Sequence, residues 1–264
     1  MISDRKNGFW LPAAFRNVLE EMGSLSAFAF RFFLDLLRPG FEFKEFLRQC
    51  FEIGYRSLPL IALTGFIMGL VLTMQLQPTL VDYGVESRLP EVVGLSIVRE
   101  IGPVITALIF AGRVGSGIGA ELGSMKVTEQ IDAMEVSGTN PYRYLVVTRV
   151  AATTIMLPAL VILSDTIALY GGYLGVNINS YMSWNLYLTQ VYNSLGFSDL
   201  LPSIGKTFFF GFAVGIIGCH KGFHSRKGTE GVGKSANAAV VVSSLAIFII
   251  DLIVVQITSV LGFN

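Results

Sequence analysis

The sequence predicts an all-α integral membrane protein: N-terminal interfacial amphipathic helices, then five transmembrane helices, with a short polar helix between the second and third spans. Three observations predict it. The chain of 264 residues is 52% hydrophobic and only 14% charged, against about 25% charged in soluble domains, and its mean hydropathy is +0.62. Its apolar residues fall in blocks long enough to cross a bilayer, which takes about 20 helical residues. Lysine and arginine also alternate from one connection to the next. Formal net charge is zero, which gives no sign of a nucleic-acid partner. Cys50 and Cys219 are the only cysteines, so neither a disulfide framework nor a metal-ligand spacing is present. The first ten residues, MISDRKNGFW, lack the apolar core and small-residue cleavage site of a secretory signal.

Before the first span, residues 24–37 (SLSAFAFRFFLDLL) are apolar but interrupted by Arg31 and Asp35 and flanked by basic residues. A helix lying in the membrane interface fits this pattern better than a crossing. Phe43, Phe46, Leu47, Cys50, Phe51 and Gly54 then recur at helical spacing, with Glu42, Lys44, Glu45, Arg48 and Glu52 mostly on other faces. This is a second amphipathic helix, leading into the first span. Residues 1–56 are therefore expected to be an N-terminal cytoplasmic and interfacial region, and 57–264 the five-span domain.

The spans are expected at 57–75, 92–120, 145–176, 204–219 and 236–261. The second and third exceed the minimum length, and the fourth needs flanking residues. Arg5, Lys6, Arg16, Arg31, Arg38, Lys44, Arg48 and Arg56 precede the first span. Arg113, Lys126 and Arg143 lie near the second connection, and Lys221, Arg226, Lys227 and Lys234 in the fourth. The first connection has only Arg88, and the third has no lysine or arginine. The positive-inside rule then puts the N-terminus in the cytoplasm and the C-terminus outside.

GTEGVGKS, residues 228–235, fits the phosphate-loop pattern. A working phosphate loop joins a strand to a helix. Here a span and the basic stretch HKGFHSRKG precede it, and a span follows. Asp251, which would mimic the magnesium-binding aspartate, lies about five helical turns along that same span. The motif is a decoy on a cytoplasmic turn, where Lys234 can meet lipid phosphates or a partner's carboxylates. His220 and His224 have metal-ligand spacing on a helix, but no third ligand is nearby in the sequence. They read as interfacial histidines.

Charges inside spans cost at least about 2.5–3.5 kcal/mol by insertion scales, so they need a partner, water or a function. Arg99 and Glu100 in the second span, Lys206 in the fourth and Asp251 in the fifth all fall toward the outer end. Asp165 in the third is a further intramembrane charge. An ion-pair network is expected, Glu100 or Asp251 with Arg99 or Lys206, serving as a static brace or as a gate beside a lipid cavity. Pro103, just below, can kink the second span.

Small residues recur at i, i+4: Gly112/Ser116/Ala120, Gly115/Gly119/Gly123, Gly65/Gly69, Gly171/Gly175 and Gly211/Gly215. Each row allows close helix approach, within the chain or across a dimer seam. Leu70, Met74 and Gln75 in the charge-free first span are candidates for the wall of an apolar cavity, should two copies meet there. Methionine adapts to varied apolar partners. The segment VTEQIDAMEV carries Ile131, Met134 and Glu135 on one side and Glu129, Gln130 and Asp132 elsewhere, with Thr128 as a candidate cap. Its acidic face suits a groove on a protein partner better than anionic lipid.

Residues 98–150 contain R-E-x-G-P, A-G-R-x-G-S, A-E-x-G-x-M, T-E-Q and N-P, and residues 228–251 read GTEGVGKSANAAVVVSSLAIFIID. These blocks resemble the permease subunits of lipid-transporting ABC systems that work with MCE proteins, the MlaE/YrbE family. The resemblance runs from about residue 40 to the C-terminus. It implies a homodimer in the inner membrane, two ATPase subunits below and an MCE-domain protein on the periplasmic side. It implies that residues 124–137 form a coupling helix, with Thr128, Glu129, Gln130, Asp132, Met134 and Glu135 docking the ATPase. ATP and magnesium would be held by that partner, with no cofactor, metal or catalytic residue in this chain. The substrate would be a lipid, most simply a phospholipid. The same resemblance points to Arg99, Glu100, Lys206 and Asp251. Two rivals from other classes are a membrane-embedded lipid-modifying enzyme and a charge-coupled secondary transporter. No nucleophile–base pair or three-ligand set converges by spacing to support the first, and the second has no use for an acidic docking helix.

Overall fold

A computed structural model describes residues 13–38, 40–226 and 228–260. Arg5, Lys6 and Lys227, counted above for orientation, lie outside the described residues. Among the described residues five helices are long and apolar enough to cross a membrane: Phe43–Asp82, Glu86–Val127, Tyr142–Ile178, Phe197–Phe223 and Thr229–Val260. All exceed the apolar cores read from the sequence, because their polar flanks continue the same helices. The amphipathic segment beginning at Phe43 runs without a break into the first span.

Backbone proximity organises the bundle. The first span lies against the third, where a Cβ on Gly69 would come within 1.8 Å of the Ala168 carbonyl oxygen and one on Gly171 within 2.3 Å of that of Phe66. The fourth span packs on the third through Gly211 and Gly215, which sit on Thr153. The fifth packs on the second, where Gly119 meets Ser235 and Ala239. Four of the five small-residue rows thus serve contacts within the chain. The Gly112/Ser116/Ala120 row points elsewhere, with no atom near a Cβ at Gly112. Between these helices Phe110, Leu122, Tyr142, Leu157 and Phe210 are fully enclosed.

The second and third spans are not regular. Residues Ile97–Ile101, Ala111–Gly115 and Tyr142–Val147 are wound as π-turns. The first immediately precedes Gly102 and Pro103, so the irregularity expected from the proline takes the form of a wider turn on its N-terminal side.

Among the described residues three helices lie outside the five, one of them the short Gln130–Val136. Ala13–Leu36 packs on the third and fourth spans at their arginine- and lysine-rich end. Phe28 and Phe32 are buried there, Tyr142 donates to the Phe28 carbonyl, and the Arg31 guanidinium stands 4.3 Å from the centre of the Tyr142 ring. Asp35, one of the charges that interrupts this segment, is held by Arg31 and Arg38 at 3.4 and 3.1 Å. At the opposite end, the connection between the third and fourth spans contains a helix, Trp184–Ser194, that the span pattern does not predict. Ser183 caps it by accepting from the Leu186 N–H, and Tyr187 and Val191, one turn apart, bury its inner face.

Candidate functional site

One cation ties three spans together. Lys206, in the second helical turn beyond Pro202, has a side chain only 2% exposed, and its Nζ donates to Glu100 Oε2 at 2.7 Å and to Asp251 Oδ1 at 2.8 Å. Glu100 comes from the π-turn of the second span and Asp251 from the fifth, so the cluster joins the second, fourth and fifth spans. Arg99 takes another partner. Its guanidinium donates to Asp199, whose carboxylate is 6% exposed and also accepts from the Gly196 N–H at 2.8 Å. The sequence reading set Arg99 against Glu100 or Asp251. The structure replaces that pairing with Asp199, in the first turn of the fourth helix.

These groups border a recess of about 270 Å³, with Arg99, Glu100, Asp199 and Lys206 on its polar side and Val254 and Val255 on its apolar side. Two cations face two carboxylates in its lining, so the recess is neutral in balance, with Asp251 reaching Lys206 from outside it. Ser203 contributes to its wall and donates to the carbonyl of Val98, inside the π-turn. That wider turn is thereby fixed to the fourth span. Asp165 lies behind this wall. A Cβ at Gly102 would fall 1.8 Å from Asp165 Oδ1, so only a glycine leaves room for the carboxylate.

The other candidates are more dispersed. Leu70 is half-buried and its backbone touches Gly171 and Gly175, whereas Met74 (48% exposed) and Gln75 face outward from the first span. The short helix is Gln130–Val136. Ile131 anchors it in the core, and Gln130, Asp132, Glu135 and Val136 are exposed. Of the three residues expected on one side, Ile131 is buried and Met134 partly buried against the core, while Glu135 is exposed. Thr128 does not cap this helix. Its hydroxyl donates to Ser124 at the end of the second span, and Glu129 makes the turn with φ of 59°, the one non-glycine with positive φ among the described residues. Asp132 pairs with Lys126 at 2.7 Å, closing the turn between the two helices.

The phosphate-loop motif is helical. Thr229–Ser235 form the first two turns of the fifth span, and Lys234 pairs with Glu230 four residues earlier at 2.6 Å. A phosphate-binding loop needs its N–H groups free to converge on the anion, whereas past the first turn they are committed to the helix. Gly231 instead permits the chain to fold back over Arg226, whose carbonyl oxygen lies 2.1 Å from where a Cβ would stand. The His220 and His224 rings lie 4.4 Å apart at a tilt of 37°, His220 Nε2 meets Ser24 Oγ and His224 Nδ1 meets the His220 carbonyl. Among the described residues, no three His, Cys, Asp or Glu side chains converge on a metal position.

A family model described as permease MlaE matches residues 46–257. The chain belongs to the MlaE permease family. Relatives of this MlaE-family permease cover nearly its whole length. A probable ABC transporter permease protein of Rickettsia felis is 40% identical over 238 residues, 90% of this chain and 92% of the relative. One from Synechocystis is 38% identical over 217 residues, 82% of each chain. The intermembrane phospholipid transport system permease protein MlaE of Haemophilus influenzae is 36% identical over 221 residues, 82% of this permease and 83% of its own length. The family match reaches into all five spans and takes in Glu100, Lys206 and Asp251.

Proposed function

We propose that this permease is the membrane subunit of an ABC transporter that moves phospholipid between the inner membrane and an MCE-domain partner, with ATP hydrolysed in a separate subunit. The naming of the Haemophilus relative as a phospholipid transport permease supports the substrate class. The names of the Rickettsia and Synechocystis relatives support the ABC architecture. In this reading the permease is a homodimer, two ATPase subunits sit at the basic end, and the MCE-domain protein sits at the opposite end. The alternation of Lys and Arg puts the N-terminus in the cytoplasm and the C-terminus in the periplasm.

One observation carries the mechanism. The second span is a continuous helical rod from Glu86 to Val127, with Glu100 near one end and the Gln130–Val136 helix hinged to the other through Glu129. At 1.5 Å per residue the two functional ends are about 40 Å apart. The ATPase takes hold of Thr128, Glu129, Gln130, Asp132, Met134 and Glu135. Its closure on ATP moves the rod, and Glu100 moves with it relative to Lys206 and Asp251. The recess then changes shape around a lipid headgroup, whose phosphate suits Arg99 and whose ammonium suits Glu100, the more exposed of its carboxylates. No covalent bond is made by this chain, which holds no ATP or magnesium of its own. Leu70, Met74 and Gln75 face the acyl chains in the dimer.

The test is copurification in mild detergent. The tagged permease should retain its ATPase, and Glu129→Lys with Asp132→Lys should release it while leaving the permease folded. Retention of the ATPase by that double variant, or ATP hydrolysis by the permease alone, would overturn the reading.

A further inference from the structure

Behind the Ser203 wall, on the far side from the charged recess, lies a second and larger cavity of about 490 Å³. It opens between the third span, the Trp184–Ser194 helix and the fourth span. Its volume falls within the roughly 300–1,000 Å³ usual for ligand sites. Leu169, Leu188, Val191, Leu195 and Leu200 make most of its wall, and Asp165 sits among them. We propose that this cavity binds a membrane amphiphile with one apolar chain and a hydrogen-bond donor, hydroxyl or ammonium, at its polar end, which Asp165 receives.

Hydrogen-bond accounting selects that chemistry. Three lining residues carry side-chain oxygen on the cavity wall away from its rim. Thr166 donates to the Ile162 carbonyl at 2.8 Å, and Ser203 donates to the Val98 carbonyl. Both hydroxyl hydrogens are therefore committed. Among the described residues Asp165 finds no hydrogen bond and no ion pair, and its Oδ1 is buried against Gly102 without a partner. The ammonium next to it, Lys206, is already shared between Glu100 and Asp251. Inside a membrane a polar group must find its partner within the protein or in what the protein binds. The cavity offers acceptors and apolar wall, so a ligand with a donor and a chain complements it, whereas a phosphate would meet only the carboxylate.

The position of the mouth indicates a lipid-phase occupant. Trp184 and Tyr192 stand at the rim, 37% and 72% exposed, near the lysine-poor end of the bundle. Tryptophan and tyrosine favour the level of the headgroups, where a ring can be half in water and half in chains. An amphiphile entering between them would pass its chain along Leu188 and its polar end toward Asp165. This site is separate from the charged recess, and its occupancy does not depend on the transport reading.

The test is photolabelling of the full-length permease in nanodiscs with three diazirine probes: a long-chain alcohol, the matching amine, and the matching methyl ether, which has no donor. The alcohol and the amine should label residues 162–169 and 184–195 about tenfold more than the ether, the scale of one net hydrogen bond. Asp165→Asn should keep the alcohol, because an amide still accepts, and lose most of the amine. Leu188→Trp should fill the cavity and lower both without touching Asp165, and it carries the test alone if the Asp165 variant misfolds. Equal labelling by the ether, wild-type amine labelling in Asp165→Asn, or no labelling by any probe would overturn the proposal. The last result would assign the cavity to water or to another polypeptide.

Discussion

The third and fifth spans are both apolar helices of more than 30 residues, yet they are held in different ways. In its most apolar stretch the third span is 67% buried within the chain and the fifth only 17%. Exposure alone demands nothing in a bilayer, because lipid is as apolar as leucine. The informative difference is in the attachments. The third span touches its neighbours along its length through backbone-to-backbone contacts at Gly69, Gly171, Gly211 and Gly215. The fifth seats only a single stripe, Ser235, Ala239, Ser243 and Ile247, against the rest of the chain, and one turn beyond it Asp251 meets Lys206. A helix locked by close packing along its length has little freedom. A helix seated on one narrow stripe and tied by an ion pair has more freedom to tilt when the pair is exchanged.

The largest effect expected is at that ion pair. Lys206→Met leaves Glu100 and Asp251 facing each other inside the bundle, and removing one partner of a buried ion pair typically costs about 3–5 kcal/mol. The lower end applies here because Glu100 is half exposed. Thermal unfolding in detergent should show a large loss, and the triple variant adding Glu100→Gln and Asp251→Asn should recover most of it. A single variant as stable as the parent would mean that the pair holds nothing.

Next comes the lock. Gly69→Ala drives a Cβ into the Ala168 carbonyl, and overpacking of this kind costs about 1–3 kcal/mol. Gly112→Ala, with open space around it, should be silent in the same melting assay. Equal effects at the two glycines would erase the distinction between a locked and a loosely held span.

A smaller effect belongs to the hinge. Glu129 has a left-handed backbone that strains a non-glycine residue. Glu129→Gly should stabilise by under about 1 kcal/mol while weakening ATPase retention, since it removes a docking carboxylate. The smallest change expected is at Tyr187, whose buried hydroxyl has no partner. Burial pushes its phenol well above the usual range, so it stays neutral at any pH the protein survives. Tyr187→Phe should then leave stability within about 1 kcal/mol of the parent, or raise it, with no new pH dependence.

Much of this architecture is legible in the sequence, for a physical reason. The bilayer imposes a length and an apolarity that five segments meet, and the glycine rows mark where helices touch. The cost of intramembrane charge singled out Glu100, Lys206 and Asp251, which meet in space. Asp199 escaped because the fourth span looked too short and its flank was read as connection. The signal was there: Gly196 precedes a first turn with Asp199 at its third position, an arrangement in which the carboxylate takes the Gly196 N–H. The Trp184–Ser194 helix escaped because one buried face of Tyr187 and Val191 is too short a period to stand out. The π-turns had no local signature beyond Gly102–Pro103. They depend on tertiary contacts, such as Ser203 on the Val98 carbonyl, that no window of sequence contains.

The central claim is that motion of the second span, driven by a separate ATPase, is delivered to the Lys206 cluster and moves lipid. The most direct measurement is ATP-dependent transfer of fluorescent phospholipid from proteoliposomes holding the permease with its ATPase and MCE partners. The Lys206→Met, Glu100→Gln, Asp251→Asn variant, neutral and folded, should keep its ATPase bound and hydrolysing but lose transfer. Undiminished transfer by that variant would contradict the account.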